Sequence, residues 1–260
     1  MDIRDWLLYE KEGSIAIITL NQPAKLNTFS WLLLEDLEKI QLEMAADDSL
    51  RAAVIKASGK HFSAGMSLDD LQITDVKMIL KRLAWWQNIN LRWQEMPFPI
   101  VAAVQGHCIG GGIELLLGCD IRIAADNAHF RMPEVALGLA PDVGGTTRLS
   151  KLIGPGQAKR LIMTNEEIDA QEAARIGLVE IVVPIEELQT RAMNMAQKMA
   201  SMPPIAMRWA KKGANLAMES STAAGLMFEQ AQSVCCFMTE DLQEGLNAFV
   251  AKREPEFKGQ

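Results

Sequence analysis

Five short apolar runs, set among stretches of helical period, limit what this 260-residue chain can fold into. They are IAIITL (15–20), RAAVIKAS (51–58), PFPIVAAVQG (97–106), DIRIAA (120–125) and GLVEIVV (177–183). Short, apolar and rich in Ile, Val and Ala, they predict strands. WLLYE, just ahead of the first, predicts its hairpin partner, and HFRMPE (129–134) a short strand running into a turn. Apolar residues recur at helical spacing over 30–45, and over 76–95, where Trp85, Trp86, Ile89 and Trp93 share a face. Shorter helices are expected over about 111–118 and from GGTTRLSKLIG (144–154) onward. This alternation defines an α/β class, but not the order of strands in the sheet. Beyond about residue 185 the chain reads as helix, broken at MPP (202–204) and near Thr239. The expected organisation is a core over 1–200 and a helical region over 201–260.

The third strand runs into GHCIGGGIELLLGCD (106–120), where three glycines precede a lone acid, Glu114, in an apolar segment. A phosphate-binding P-loop needs a Lys-Ser/Thr pair that is missing here. A dinucleotide fingerprint fits Gly110 and Gly112 but meets Leu115 at its third position, and the acid twenty residues on, Glu134, falls in a turn. A helix N-terminus exposes unpaired N–H groups that favour negative charge, and glycines let a ligand atom approach them. Such a start suits a developing oxyanion. From this segment alone, simple complementation of the helix dipole accounts for Glu114 equally well.

Two further segments bear on that choice. KHFSAGMSLDDL (60–71) puts a second small-residue turn after a strand. HFRMPEVALGLAPDVGGTTRL (129–149) brings Glu134 and Asp142 to turns near helix starts. Three carboxylates and two glycine-bearing turns are what proton transfer beside a polarised carbonyl needs. A net charge of −7 argues against a nucleic-acid footprint. No apolar stretch approaches the roughly 20 residues of a membrane span. The N-terminus shows no signal-peptide pattern, and the four cysteines form no framework, so a cytoplasmic protein is expected. His61, His107 and His129 lack metal-ligand spacing, and no metal is expected.

At these segments the chain resembles the crotonase superfamily, the enoyl-CoA hydratases and isomerases. The likeness runs from ITLNQPAKLN (18–27) through HFSAGMSL (61–68), GHCIGGGIELLLGCD, MPEVALGLAPDVGGTTRL (132–149) and IDAQEAARIGLVEIVV (168–183) to EGLNAFVAKREPEF (244–257). It implies a spiral of ββα repeats followed by helices that trimerise, giving a homotrimer or dimer of trimers. It also implies an acyl-CoA thioester substrate, with no cofactor beyond its CoA moiety. The thioester carbonyl would be held by the main-chain N–H groups of Met66 and Gly111. In the hydratase branch, glutamates matching Glu114 and Glu134 hold one water and share the proton work. Lys25, Ala64 and, from a neighbouring subunit, Lys252 match positions expected to meet CoA.

Three departures from the family pattern stand out, at Asp142, at Ser67 and at Lys25, where the CoA-binding loop varies. Asp142 occupies a place where many hydratases have a small residue; it resembles an acid of the isomerase branches, which moves a proton along the acyl chain together with the match of Glu134. As a favoured capping residue it equally suits the start of the GGTTRLSKL helix, the role expected here. Ser67 replaces a usual Asp, after a bulky Met66. The Trp85/Trp86/Trp93 helix resembles the segment lining the acyl pocket, where such rings would favour short or ring-bearing acyl groups. The expected activity is hydration of a trans-2-enoyl-CoA; the alternative is an enoyl-CoA or dienoyl-CoA isomerase using Glu134 and Asp142. A non-catalytic acyl-CoA- or RNA-binding scaffold is disfavoured by the acidic balance and the two intact glutamates.

Overall fold

The apolar runs face two cores, and their alternation sorts them. In the computed structural model, which describes residues 3–72 and 75–260, β1 (Leu7–Glu12) and β2 (Ile15–Leu20) form an antiparallel hairpin. Next to β2 lie β3 (Ala52–Ala57), β4 (Ile100–Val104), β6 (Ile121–Ala125) and β9 (Ile181–Val183), all parallel, in the order β1-β2-β3-β4-β6-β9. Along β2, Ile15 and Ile17 pack on one side with Leu188, Ala192 and Ala196 of helix α6 (Leu188–Ala200). Ala16, Ile18 and Leu20 point into the larger core on the other side. A strand buried on both faces reads as a continuous apolar run, which is why these segments stand out.

A second sheet was not foreseen, although its middle strand, within HFRMPE, was. Its strands are β5 (His107–Ile109), β7 (His129–Arg131) and the two-residue β8 (Ile168–Asp169). Strands this short carry too few residues for a periodicity signal. The chain passes from β4 to β5 to helix α3 (Gly111–Leu116), then from β6 to β7 and on to helix α4 (Thr147–Thr164), one strand in each sheet per turn. This is the expected ββα spiral. It has a local consequence: β5 and β7 are parallel with Ile109 opposite Arg131, and the N–H of Gly110 donates to the Arg131 carbonyl at 2.9 Å. The two chain exits, one leading to Gly111 and the other to Glu134, therefore lie side by side.

Helix α1 (Trp31–Ala46) starts where Ser30 accepts from the N–H of Leu33, and α2 (Val76–Glu95) where Asp75 accepts from Lys77 and Met78. Pro97 and Pro99 bar α2 from continuing into β4, so that strand is shorter than the run containing it. Only Ile181–Val183 of GLVEIVV pairs; the residues before it form the turn that follows α5 (Ala170–Arg175). The C-terminal helices are α7 (Pro204–Ala217), α8 (Thr222–Phe237) and α9 (Glu240–Ala251), with a further break before Ser221, which caps α8.

One buried cation ties α7 to the core. Lys211 Nζ donates to the carbonyls of Trp93 (3.1 Å) and Phe98 (3.0 Å) and to Asp120 Oδ2 (2.7 Å). All three of its donors are satisfied, as a buried ammonium requires. Lys211→Ala would strand Asp120 and two carbonyls; the expected loss is about 3 kcal/mol, read as a lower urea midpoint.

Candidate active site

The cleft where the two sheets meet α2 encloses about 560 Å3. Its walls include Ala64, Met66, Trp86, Gly111, Glu114, Glu134, Leu137 and Asp142. Thus five residues singled out from sequence as catalytic or carbonyl-binding, together with Ala64, face one space. Lys25 does not line it: it lies exposed on the turn Pro23–Lys25, beside Leu26, which does. Lys252 is exposed at the end of α9, outside this chain's cleft lining.

Two main-chain N–H groups are presented together. Phe29 N–H donates to the Gly65 carbonyl and Ser67 N–H to the Phe29 carbonyl, a parallel bridge that leaves the Met66 N–H unused on its other side. Gly111 is the first residue of α3, so its N–H has no intrahelical acceptor. Gly65, at φ +81°, brings these turns together: a Cβ there would stand 2.8 Å from the Ile109 carbonyl and 3.2 Å from the Gly111 nitrogen. Only glycine permits that approach.

Glu114 sits in the first and only full turn of α3 and is 3% exposed. Its Oε1 accepts from the N–H groups of Val143 (2.8 Å) and Gly145 (2.9 Å). Burial pushes its pKa up to about 7; those two N–H groups oppose the shift, and the charges of Glu134 and Asp142 add to it. Glu134, at the start of the turn Glu134–Leu137, is also raised, first by burial and then by Asp142, with its own N–H acting against both. Its Oε2 is buried without a hydrogen-bond partner among the described residues.

Asp142 is not the helix cap expected of it. Helix α4 begins at Thr147, with Thr146 in the capping position and no side-chain cap bond. The segment VGGT separates the acid from the helix, which begins without a side-chain cap bond. It lines the cleft instead, its pKa raised by burial and restrained by its own N–H. Of the three tryptophans only Trp86 lines the cleft, edge-on to Phe29 (6.2 Å) and Trp31 (6.1 Å). Trp85 donates to Glu38 at 2.8 Å, and Trp93 is wholly buried.

Sequence reasoning missed the amides of α2. Gln87 donates to the Asp142 carbonyl, and Asn90 to the carbonyls of Glu114 and Val143. One signal was there: Trp86, Asn90 and Trp93 lie at i, i+4 and i+7, so a polar side chain interrupts an apolar stripe.

One cleft thus gathers the carboxylates of Glu114, Glu134 and Asp142 beside the main chain of Met66 and Gly111. Comparison with known proteins supplies the class. The family model described as enoyl-CoA hydratase/isomerase matches residues 10–260. The short-chain-enoyl-CoA hydratase of Clostridium acetobutylicum is 38% identical over 251 residues, 96% of each chain. The 2,3-dehydroadipyl-CoA hydratase of Escherichia coli is 36% identical over 256 residues, 97% of this chain and 98% of that one. A crystal structure of an enoyl-CoA hydratase from Bacillus anthracis superposes with a TM-score of 0.94 at 35% identity, covering 98% of this chain and all of the other. The chain belongs to the enoyl-CoA hydratase/isomerase family and has the crotonase fold. Among the described residues, no helix is long and apolar enough to cross a membrane.

Proposed function

We propose that the protein hydrates a trans-2-enoyl-CoA thioester, with Glu114 and Glu134 as the acid–base pair. The observation that carries this reading is the meeting of both glutamates with the N–H groups of Met66 and Gly111 in one cleft. The thioester oxygen would accept from those two N–H groups, which stabilise the enolate formed as water attacks; each such donor is typically worth about 3 kcal/mol in the transition state. The water oxygen bonds to C3, one of its protons passes to a glutamate, and the other glutamate delivers a proton to C2. That exchange needs one carboxyl protonated and one ionised. Glu114 is raised by burial and by the charge of Glu134, and Glu134 is raised by burial and by Asp142, so neighbouring carboxyls of this kind favour one protonated and one ionised member. The unpartnered Oε2 of Glu134 has the capacity to hold the water.

Ala64 in the cleft wall and Lys25 at its rim are proposed contacts for CoA, with Lys252 reaching it from a neighbouring subunit. A homotrimer or dimer of trimers is proposed, built on the region over 201–260. Exposed Met227, Val234, Phe237, Met238, Phe249 and Val250 on and around α8 and α9 supply apolar surface for it. Light scattering of the purified protein should give three or six chains.

A second reading has one observation in its favour: Asp142 faces the cleft rather than capping a helix. Glu134 and Asp142 would then shuttle a proton along the acyl chain and move the double bond. A panel of 2-enoyl-, 3-enoyl- and 3,5-dienoyl-CoA esters, with products read by mass, separates the two. Hydration adds one water and migration leaves the mass unchanged. Hydration of the 2-enoyl ester that persists in Asp142→Asn is the expected result; migration alone, abolished by that substitution, would favour the second reading.

A further inference from the structure

Two amides of helix α2, Gln87 and Asn90, stand three residues apart and so on neighbouring positions of one face. Gln87 Nε2 donates to the carbonyl of Asp142 at 2.6 Å. Asn90 Nδ2 donates to the carbonyl of Val143 at 3.2 Å and to the main-chain carbonyl of Glu114, also at 3.2 Å. Both neighbours of that nitrogen are acceptors, so the orientation of the amide is fixed by chemistry. Consecutive carbonyls of the 142–145 loop are thus pinned to one helix. The same loop supplies the two N–H groups, of Val143 and Gly145, that hold Glu114 Oε1. Asn90 therefore spans the acid's backbone and the loop that grips its carboxylate.

Asn90 is 1% exposed, and its Oδ1 has no hydrogen-bond partner among the described residues. An unpaired buried carbonyl costs stability that an aliphatic side chain in the stripe would avoid. What the amide provides is geometry.

We infer that Asn90, assisted by Gln87, is a positioning residue for Glu114, fixing the loop that aims its carboxylate at the substrate. The inference rests on the hydratase reading of Glu114. Misplacement of a reacting group by about 1 Å can cost roughly a hundredfold in rate, and partial loosening less. Weakening the grip of Val143 and Gly145 also removes the two contacts that hold the acid's proton affinity down.

The test uses the purified wild-type protein, Asn90→Leu and Gln87→Ala, assayed with a trans-2-enoyl-CoA over a range of pH. Asn90→Leu should lower kcat by roughly 10- to 100-fold with KM little changed, and move the pH–kcat limb governed by Glu114 to higher pH. Gln87→Ala should move both quantities the same way by a smaller factor. A purely structural role would lower the melting temperature and leave kcat per folded enzyme and the pH limb in place; that result overturns the inference. If Asn90→Leu does not fold, Gln87→Ala decides alone, and wild-type kcat with an unshifted limb overturns it. A wild-type protein that hydrates no enoyl-CoA removes the hydratase reading and the inference with it; hydration unaffected by either substitution removes only the inference.

Discussion

Glu114→Gln and Glu134→Gln are each expected to reduce enoyl-CoA hydration by roughly a thousandfold while leaving the protein folded. The size follows from losing one partner of a two-residue acid–base relay. A glutamine keeps the shape of the side chain, and at position 114 its carbonyl can still accept from Val143 and Gly145. The Glu114 substitution has a second signature, opposite in sign. The folded protein holds this carboxyl at about 7 against an ordinary 4.5, so between those values it binds more protons than the unfolded chain does. Wild-type stability therefore falls as pH rises from about 4.5 to 7, by roughly 3 kcal/mol for this group, and the cost is fully present above pH 7. Glu114→Gln removes an ionisation that is costly in the fold. It should be the more stable protein above pH 7, with the difference fading below about 4.5. Paired kinetics and urea unfolding at several pH values check both; near-wild-type rates in both variants would refute the assignment.

Gly110→Ala should abolish more than 99% of activity, a loss of roughly a hundredfold or more by misplacement of the reacting groups. Gly110 has φ 49° and ψ −115°, a conformation open to glycine alone. A methyl there would stand 2.5 Å from Glu134 Oε1. The clash falls between the start of α3, which presents the Gly111 N–H, and the acid that must face it, so one carbon disturbs both halves of the site. The strain itself should cost about 1–3 kcal/mol. Gly177→Ala serves as the control: φ is +83°, but nothing lies within 4 Å of the added carbon. It should show a comparable stability loss and unchanged kcat. Equal activity losses in the two would mean that the clash with Glu134 is irrelevant.

Much of this architecture was legible in the chain because burial writes a pattern. The both-faces-buried strands β2, β3, β4 and β6 read as apolar runs, and α2 came out of its periodicity with both ends correct. Of the second sheet only β7 did, since its strands span two or three residues and are defined by partners distant in sequence. That same sheet brings Gly111 beside Glu134, so the juxtaposition at the heart of the cleft was available only through the family likeness. Asp142 shows the limit of local rules: Asp before a helix usually caps it, yet four residues of loop carry this one away from the helix start and into the cleft. Asn90 shows the reverse, a misfit in an apolar stripe whose meaning appears only once the loop it holds is in place.

Hydration and double-bond migration differ most directly in where the water goes. Wild-type protein should be incubated with a trans-2-enoyl-CoA in water enriched in heavy oxygen and deuterium, and the product analysed by mass spectrometry and NMR. The expected product is a 3-hydroxyacyl-CoA carrying one solvent oxygen at C3 and one solvent hydrogen at C2. A product that gains no oxygen, with solvent hydrogen only along a shifted double bond, would contradict the hydratase assignment.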